Sequence, residues 1–133
     1  MADVRQAIFS QLTNTAGLTA LVGTRVYPKV LPQQPTMPAI VYQLIDNDRE
    51  QVHRGQTTGT RARVQLTVWG NSEASVSAVK EQMRLAMIAA HGSVASVTID
   101  GVTCEGEVEG YEPDTIRHFI ALDFFVWHRE AAA

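Results

Sequence analysis

The chain has 133 residues, of which 45% are hydrophobic and 19% are charged, and its formal net charge at pH 7 is -3. These values are typical of one globular domain with its own core and exclude a largely disordered chain. The negative charge argues against nonspecific nucleic-acid binding, which needs a basic face, and no apolar run reaches the roughly 18 residues that span a bilayer.

The N-terminal part predicts short helices followed by an irregular connector. Asp3 precedes apolar residues at helical spacing and is expected to cap a first helix, which Gly17 interrupts. Residues 18–22 predict a further helical turn, and Val26-Tyr27 a brief extended piece. The proline-rich segment 31–38 predicts a connector because proline lacks the N–H that helices and sheets require.

The next segment predicts a strand followed by a long polar loop. Residues 39–45 (AIVYQLI) are rich in β-branched and aromatic side chains, as strands are. Residues 46–60 are polar and carry both charge signs, and loops of this length are commonly functional or mobile. Asp46, Asp48 and Glu50 alternate as in a calcium loop, but the glycine and the distal glutamate are missing. We therefore predict a solvated loop.

The stretch 61–91 is the part around which we expect the fold to form. Val64, Leu66 and Val68 alternate with more polar side chains, which predicts a half-buried strand. A long amphipathic helix follows over about 72–91. Because the strand leads directly into the helix, we expect the helix to lie across one sheet face. The inward strand residues should contact the apolar helix face, which includes Val79, Met83 and Met87.

The C-terminal part predicts a hairpin and one long strand. Residues 97–99 and 102–104 flank Asp100-Gly101, a dipeptide that favours a type I′ turn. Residues 110–115 predict a connector, and 116–128 a strand that is largely apolar on both faces. Such a strand should be covered on both sides, by the first helix or by another subunit.

These elements predict a single α+β domain over residues 1–133, with residues 129–133 as a tail. We expect a mostly antiparallel sheet with one long amphipathic helix on one face and a short N-terminal helix.

No residue pattern predicts catalysis, a cofactor or a metal site. Cys104 is expected to be a half-buried strand residue. Glu105, Glu107 and Glu109 alternate on a strand, so either they form an exposed, solubilising face, or two of them act with a histidine in a small hydrolase. The first interpretation is preferred. None of the histidines has a second ligand at helical spacing, and we expect structural roles for His53, His91, His118 and His128.

Four segments, in order, carry a resemblance to a known family. Residues 21–28 (LVGTRVYP) and 37–42 (MPAIVY) resemble the opening of the small tail-completion proteins of long-tailed bacteriophages, also called tail terminators or head-to-tail joining proteins. Residues 63–69 (RVQLTVW) are similar to the family's strand before the long helix. Residues 111–115 (YEPDT), with Leu122-Asp123-Phe124 and Trp127, resemble its closing strand.

The resemblance implies a non-enzymatic virion protein that caps the growing tail tube and joins the tail to the head. Its implied partners are further copies of itself in a ring, commonly a hexamer, the tail tube protein, and the connector or stopper protein of the head. DNA would pass through without specific binding, and no membrane is involved. The implied location is the tail-neck junction, after assembly in the host cytoplasm, and a prophage or a domesticated phage-like particle is an equally open origin.

Two alternatives to this function stay open. A head-side neck (connector) protein is the nearer alternative, and the small hydrolase described above is the weaker one. The family's third strand frequently carries an acid where this chain has Thr67, which puts in doubt any role for that side chain but not the fold.

We expect two surfaces to make the contacts that the resemblance implies. The polar loop should touch the tail tube or the connector through Asp48, Arg49, Glu50, His53 and Arg54. The sheet face opposite the helix should line the ring's lumen or contact a neighbouring subunit through Arg61, Arg63, Trp69, Phe119, Phe125 and Trp127.

Overall fold

The computed structural model describes residues 3–49 and 59–130. Three helices occur in these ranges: α1 (Val4–Thr13), α2 (Ala16–Val22) and α3 (Glu73–Ile88). The strands are β1 (Val26–Pro28), β2 (Ala39–Arg49), β3 (Thr60–Gly70), β4 (Gly92–Val94), β5 (Val97–Glu112) and β6 (Arg117–Glu130). Across the part of the chain described, no helix has the length and apolar character needed to cross a membrane.

The strands form one sheet of six in the order β1-β2-β3-β6-β5-β4. The β1–β2 pair is parallel, and the other four neighbouring pairs are antiparallel. The predicted α+β class is therefore confirmed. The sheet is mixed, however, since it contains one parallel pair. The helical turn predicted at residues 18–22 is confirmed and belongs to α2, which is a third helix beside the two of the predicted architecture.

Polar side chains define the ends of α1. The carboxylate of Asp3 accepts a hydrogen bond from the Arg5 amide at 2.8 Å, which confirms the predicted N-cap. The break between α1 and α2 falls at Asn14-Thr15, whereas Gly17 was expected to interrupt the helix and instead lies inside α2. The Asn14 amide and the Thr15 hydroxyl each donate to a carbonyl of the last turn of α1, at 2.7 Å, and so end the helix.

The long helix α3 lies within the predicted range 72–91. Its N-cap is Ser72, whose hydroxyl accepts a hydrogen bond from the Ser75 amide at 3.2 Å. The strand before it ends at Gly70, where an added Cβ would lie 2.6 Å from Cγ2 of the buried Val76. Glycine therefore allows the first turn of α3 to approach β3 closely.

The core lies between the helices and one face of the sheet. Val64, Leu66 and Val68 of β3 are at most 1% exposed. They belong to one buried cluster with the predicted helix residues Val79, Met83 and Met87. The predicted strand-to-helix packing is confirmed. The cluster also contains the alternating β6 residues Ile120, Leu122, Phe124 and Val126.

The hairpin predicted at Asp100-Gly101 is wrong, because β5 continues through both residues. A register shift between Ile99 and Gly101 absorbs the extra residue as a bulge, and the Asp100 carboxylate pairs with Arg129 of β6 at 2.9 Å. The tight turn lies instead at Ala95-Ser96, between β4 and β5, where φ is 48° and 68°. Two positive φ values are what a type I′ turn requires.

Both predicted polar connectors are shorter than expected. The first, 46–60, loses residues 46–49 to β2 and residue 60 to β3, and residues 46–49 pair with residues 60–63 of β3. The second, 110–115, loses residues 110–112 to β5. β3 offers backbone partners to residues 46–49, and β6 offers them to residues 110–112. Backbone hydrogen bonding therefore extends each strand beyond the point where its sequence becomes polar.

Candidate functional site

The sheet face turned away from the helices carries the candidate site, and we call it the open face. Successive strand side chains point to opposite sides, so the residues between the core positions lie here. In the two central strands the open face comprises Arg61, Arg63, Gln65, Thr67 and Trp69 of β3, and Phe119, Ala121, Asp123, Phe125 and Trp127 of β6. The six sheet residues expected to form a contact surface therefore lie on one face.

An aromatic pair occupies one end of the open face. The rings of Trp69 and Phe119 lie 5.0 Å apart between centroids. The Phe119 ring covers Gly110 of β5, where an added Cβ would lie 2.5 Å from the ring. The missing side chain at Gly110 thus makes room for the aromatic pair. Trp69, Phe119 and Gly110 lie directly opposite one another on the adjacent strands β3, β6 and β5, and this register holds the two rings in place.

The other end of the open face combines aromatic rings with a cation. The Arg61 guanidinium lies 4.7 Å from the centroid of the Phe125 ring, and the Phe125 and Trp127 rings meet edge to face at 5.9 Å. Trp127 keeps 36% of its surface exposed. A cation over an aromatic face is attracted by the ring quadrupole, so these side chains form an ordered, partly exposed cluster.

Charges of both signs lie between and beside the aromatic groups. Arg63 pairs with Asp123 at 3.3 Å in the middle of the open face, and half of the Arg63 side chain is exposed. Because exposed pairs of this kind contribute at most about 1 kcal/mol to stability, their main effect is on the pattern of charge that the face presents.

The proline-rich connector covers one margin of the open face, which the sequence did not indicate. Ala39 and Val41 of β2 are 0% and 7% exposed although they point away from the helices. Leu31 of the connector, together with Lys29 and Val30 just before it and Trp69 of β3, lines a cavity of about 310 Å³ at this margin. The signal that could have found this cover is the apolar character of both faces of residues 39–41.

The predicted loop contacts are only partly placed. The backbones of Asp48 and Arg49 lie in the last residues of β2, beside the first residues of β3. Glu50, His53 and Arg54 lie outside the described residues. Contact of this segment with a tail tube or connector stays a prediction.

The three alternating glutamates do not form a shared site. Glu105 lies at a bulge, between Cys104 and Gly106, which breaks the alternation expected of the strand. Glu107 pairs with Lys80 of α3 at 3.2 Å, and only Glu109 lines a recess with His118. The hydrolase alternative required two of these carboxylates to converge with a histidine, and the structure does not bring them together in this way.

The other candidate ligands are dispersed. Cys104 is half-buried against the core, as predicted. His128 is fully buried in β6. Among the residues that the structure describes, no three His, Cys, Asp or Glu side chains are grouped so that they could hold a metal ion.

The resolved pKa shifts lie on the helical side of the molecule. Hydrogen bonds from Arg5 lower the pKa of Asp3, burial raises the pKa of Tyr42, and the hydrogen bond from Arg84 lowers the pKa of Glu81. Each has a structural cause in a cap, a packed ring or an exposed ion pair. None of these three groups lies on the open face, so the shifts do not mark it as a catalytic centre.

Comparison with known proteins gives two matches of different kinds. The family model described as tail completion protein gp17 matches residues 6–129. No curated protein matches the chain significantly. A chain of the solved structure titled "Virion of native gene transfer agent (GTA) particle" has the same fold, with a TM-score of 0.70 at 20% identity over 92% of this chain and 91% of that chain.

Proposed function

Because this chain belongs to the family of tail completion protein gp17, we propose that it is a structural virion protein that caps the tail tube and joins the tail to the head of a phage or phage-like particle. The family match carries this proposal, because it runs from residue 6 to residue 129 and so includes the whole sheet except the last residue of β6. The shared fold with a chain of a gene transfer agent virion agrees with it.

The proposed working form is a ring of identical subunits, with six as the expected number. Ring closure needs a heterologous contact, in which one surface of a subunit meets a different surface of its neighbour. Helices cover one face of the sheet and leave the open face uncovered, so the protomer offers two unlike surfaces of this kind.

The open face is the surface that we assign to the contact with the neighbouring copy. Protein interfaces are enriched in aromatic residues and arginine. The open face presents both, as Trp69, Phe119, Phe125 and Trp127 together with Arg61 and Arg63. The net charge of -3 suits a ring whose lumen lets DNA pass without retaining it.

Electron microscopy of particles that lack this protein tests the function. We expect overlong tails, or complete tails and heads left unjoined, and restoration of the normal particle when the intact gene is supplied in trans. Tails of normal length joined to full heads would contradict the proposal. Capped tails of normal length beside heads that lose their DNA would instead indicate the head-side neck protein.

Chromatography with light scattering tests the ring separately. The chain should elute as a closed oligomer, alone or after mixing with tail tubes, since some rings form only on the tube. A chain that stays monomeric and never binds tubes would refute the ring.

A further inference from the structure

The strand β5 has a long edge that its own sheet leaves unpaired. β6 pairs with β5 from Val97 to Glu112, but β4 covers the other side of β5 only from Val97 to Ile99. After the second bulge, between Cys104 and Gly106, the ladder to β6 is regular from Gly106 to Glu112. We call this segment the β5 edge. In the part of the chain that the structure describes, no strand lies on its outer side.

The opposite margin of the sheet is closed by its own backbone. On β1, the Val26 amide donates to the Thr24 carbonyl at 2.8 Å, and the Pro28 carbonyl accepts from the Val30 amide at 2.7 Å. Proline has no N–H to offer. The outer groups of β1 are therefore largely used, whereas an unpaired strand such as the β5 edge presents a row of donors and acceptors to another chain.

An acidic recess lies directly beside the β5 edge. Glu109 of β5 and Glu73 of α3 line it together with His118 and the Tyr111 and Phe119 rings, and its volume is about 250 Å³. Neither carboxylate forms an ion pair with a described residue. Carboxylates and aromatic rings are both groups that attract a lysine or arginine side chain.

The neighbouring residues on the β5 edge fit the same occupant. Glu107, two residues before Glu109, already binds the ammonium group of Lys80 at 3.2 Å. On the other side of the strand, Val108 is 63% exposed beside the Phe119 ring that covers Gly110, which leaves an apolar spot on this side of the edge. The edge thus has an acidic side and an apolar side.

We propose that the β5 edge binds an extended basic segment of another protein of the particle, which adds as a further strand. Its lysine or arginine side chains would face Glu109 and the recess, and its alternate apolar side chains would cover Val108, since strand side chains alternate with period two. The inference rests on the proposed function, in which the chain contacts other proteins of the particle. A second copy is a poor occupant, because its β1 margin is closed and its β5 edge is acidic.

Peptide binding to the full chain tests this proposal. The probe is a fluorescein-labelled heptapeptide, Val-Arg-Val-Lys-Val-Arg-Val, and its control replaces the three basic residues with glutamate. We expect the basic peptide alone to bind and to slow amide hydrogen exchange within 106–112 by at least tenfold. Glu109→Lys should weaken binding at least tenfold. Glu105→Lys, which makes the same charge change at the exposed bulge of the same strand, should change it less than twofold.

Four outcomes would overturn the proposal: no binding of the basic peptide, equal binding of the acidic peptide, equal weakening by the two variants, or binding without protection of 106–112. Protection that rises with protein concentration in the absence of peptide would assign the edge to a second copy and overturn it as well. None of these outcomes alters the tail-length phenotype of particles lacking the protein, so failure here is distinguishable from failure of the proposed function.

Discussion

Replacing Trp127 with glutamate should impair assembly more than folding, if the open face contacts another subunit. A buried aromatic side chain hides about 150–250 Å², which at about 25 cal/mol per Å² corresponds to about 4–6 kcal/mol. Trp127 is 36% exposed, so about two-thirds of this applies. The glutamate stem and its cross-strand neighbour Arg61 recover part of it, and we expect a loss of about 2 kcal/mol.

The matched variant is Phe124→Ala, on the core side of the same strand. Phe124 is 0% exposed, and truncation of a buried phenylalanine typically costs about 3–5 kcal/mol. Urea unfolding followed by circular dichroism should therefore rank Phe124→Ala as the less stable variant. Light scattering with tail tubes, at a temperature where both variants are folded, should rank Trp127→Glu as the poorer assembler.

The informative result is that Phe124→Ala is the less stable variant while Trp127→Glu is the poorer assembler. If Trp127→Glu lost stability and assembly in the same proportion as Phe124→Ala, its effect on assembly would follow from unfolding alone. The assignment of the open face to a subunit contact would then be wrong. Full assembly by Trp127→Glu would refute it as directly.

Three further substitutions and one control test the fold itself. Asp3→Ala should cost about 1 kcal/mol of stability at pH 7. Because Arg5 lowers the pKa of Asp3 below its ordinary value of 3.8, the carboxylate stabilises the fold above that pH, and this contribution is lost as the pH falls through the lowered pKa. An equal cost of Asp3→Ala near pH 2 in urea titrations would contradict the cap. Gly70→Ala should cost about 1–3 kcal/mol in thermal unfolding because its Cβ would meet a buried valine, whereas Gly101→Ala, with open space around it, should change stability by less than about 0.5 kcal/mol. Ser96→Gly should raise stability by about 0.5–1 kcal/mol because glycine adopts the φ of 68° without strain, and a lowered melting temperature would argue against the turn at this position.

The elements with a clear period could be predicted from the sequence. The alternation in β3 indicates that Val64, Leu66 and Val68 are buried, and the helical spacing in α3 indicates which side of that helix is buried. The structure buries both sets of side chains. The same alternation places Arg61 and Trp127 on the open face. Periodicity is a property of a single segment, so it predicts correctly those features that depend only on which face of one helix or strand is buried.

The errors occurred where a distant strand decided the local conformation. Asp100-Gly101 favours a turn in isolation, but β6 offers backbone partners along the whole of β5, and a bulge costs less than interrupting that ladder. The turn falls at Ala95-Ser96, which lacks the usual turn residues, because the chain must reverse there between β4 and β5. The packing of Phe119 over Gly110 likewise depends on register between strands, which no single segment specifies.

The chemistry of the sheet margins bears on how copies of this chain can meet. A two-fold antiparallel contact centred on Val108 of β5 would place Glu107 of each copy opposite Glu109 of the other, and like charges directly across a strand pair are destabilising. The β1 margin has few free backbone groups, because the Val26 amide and the Pro28 carbonyl are already bonded within their own segment. Edge-to-edge pairing of identical copies is thus disfavoured at both margins. The ring proposed above would therefore form through the faces of the sheet, with the open face of one subunit against a different surface of the next, and such unlike contacts give a ring when the rotation between subunits closes.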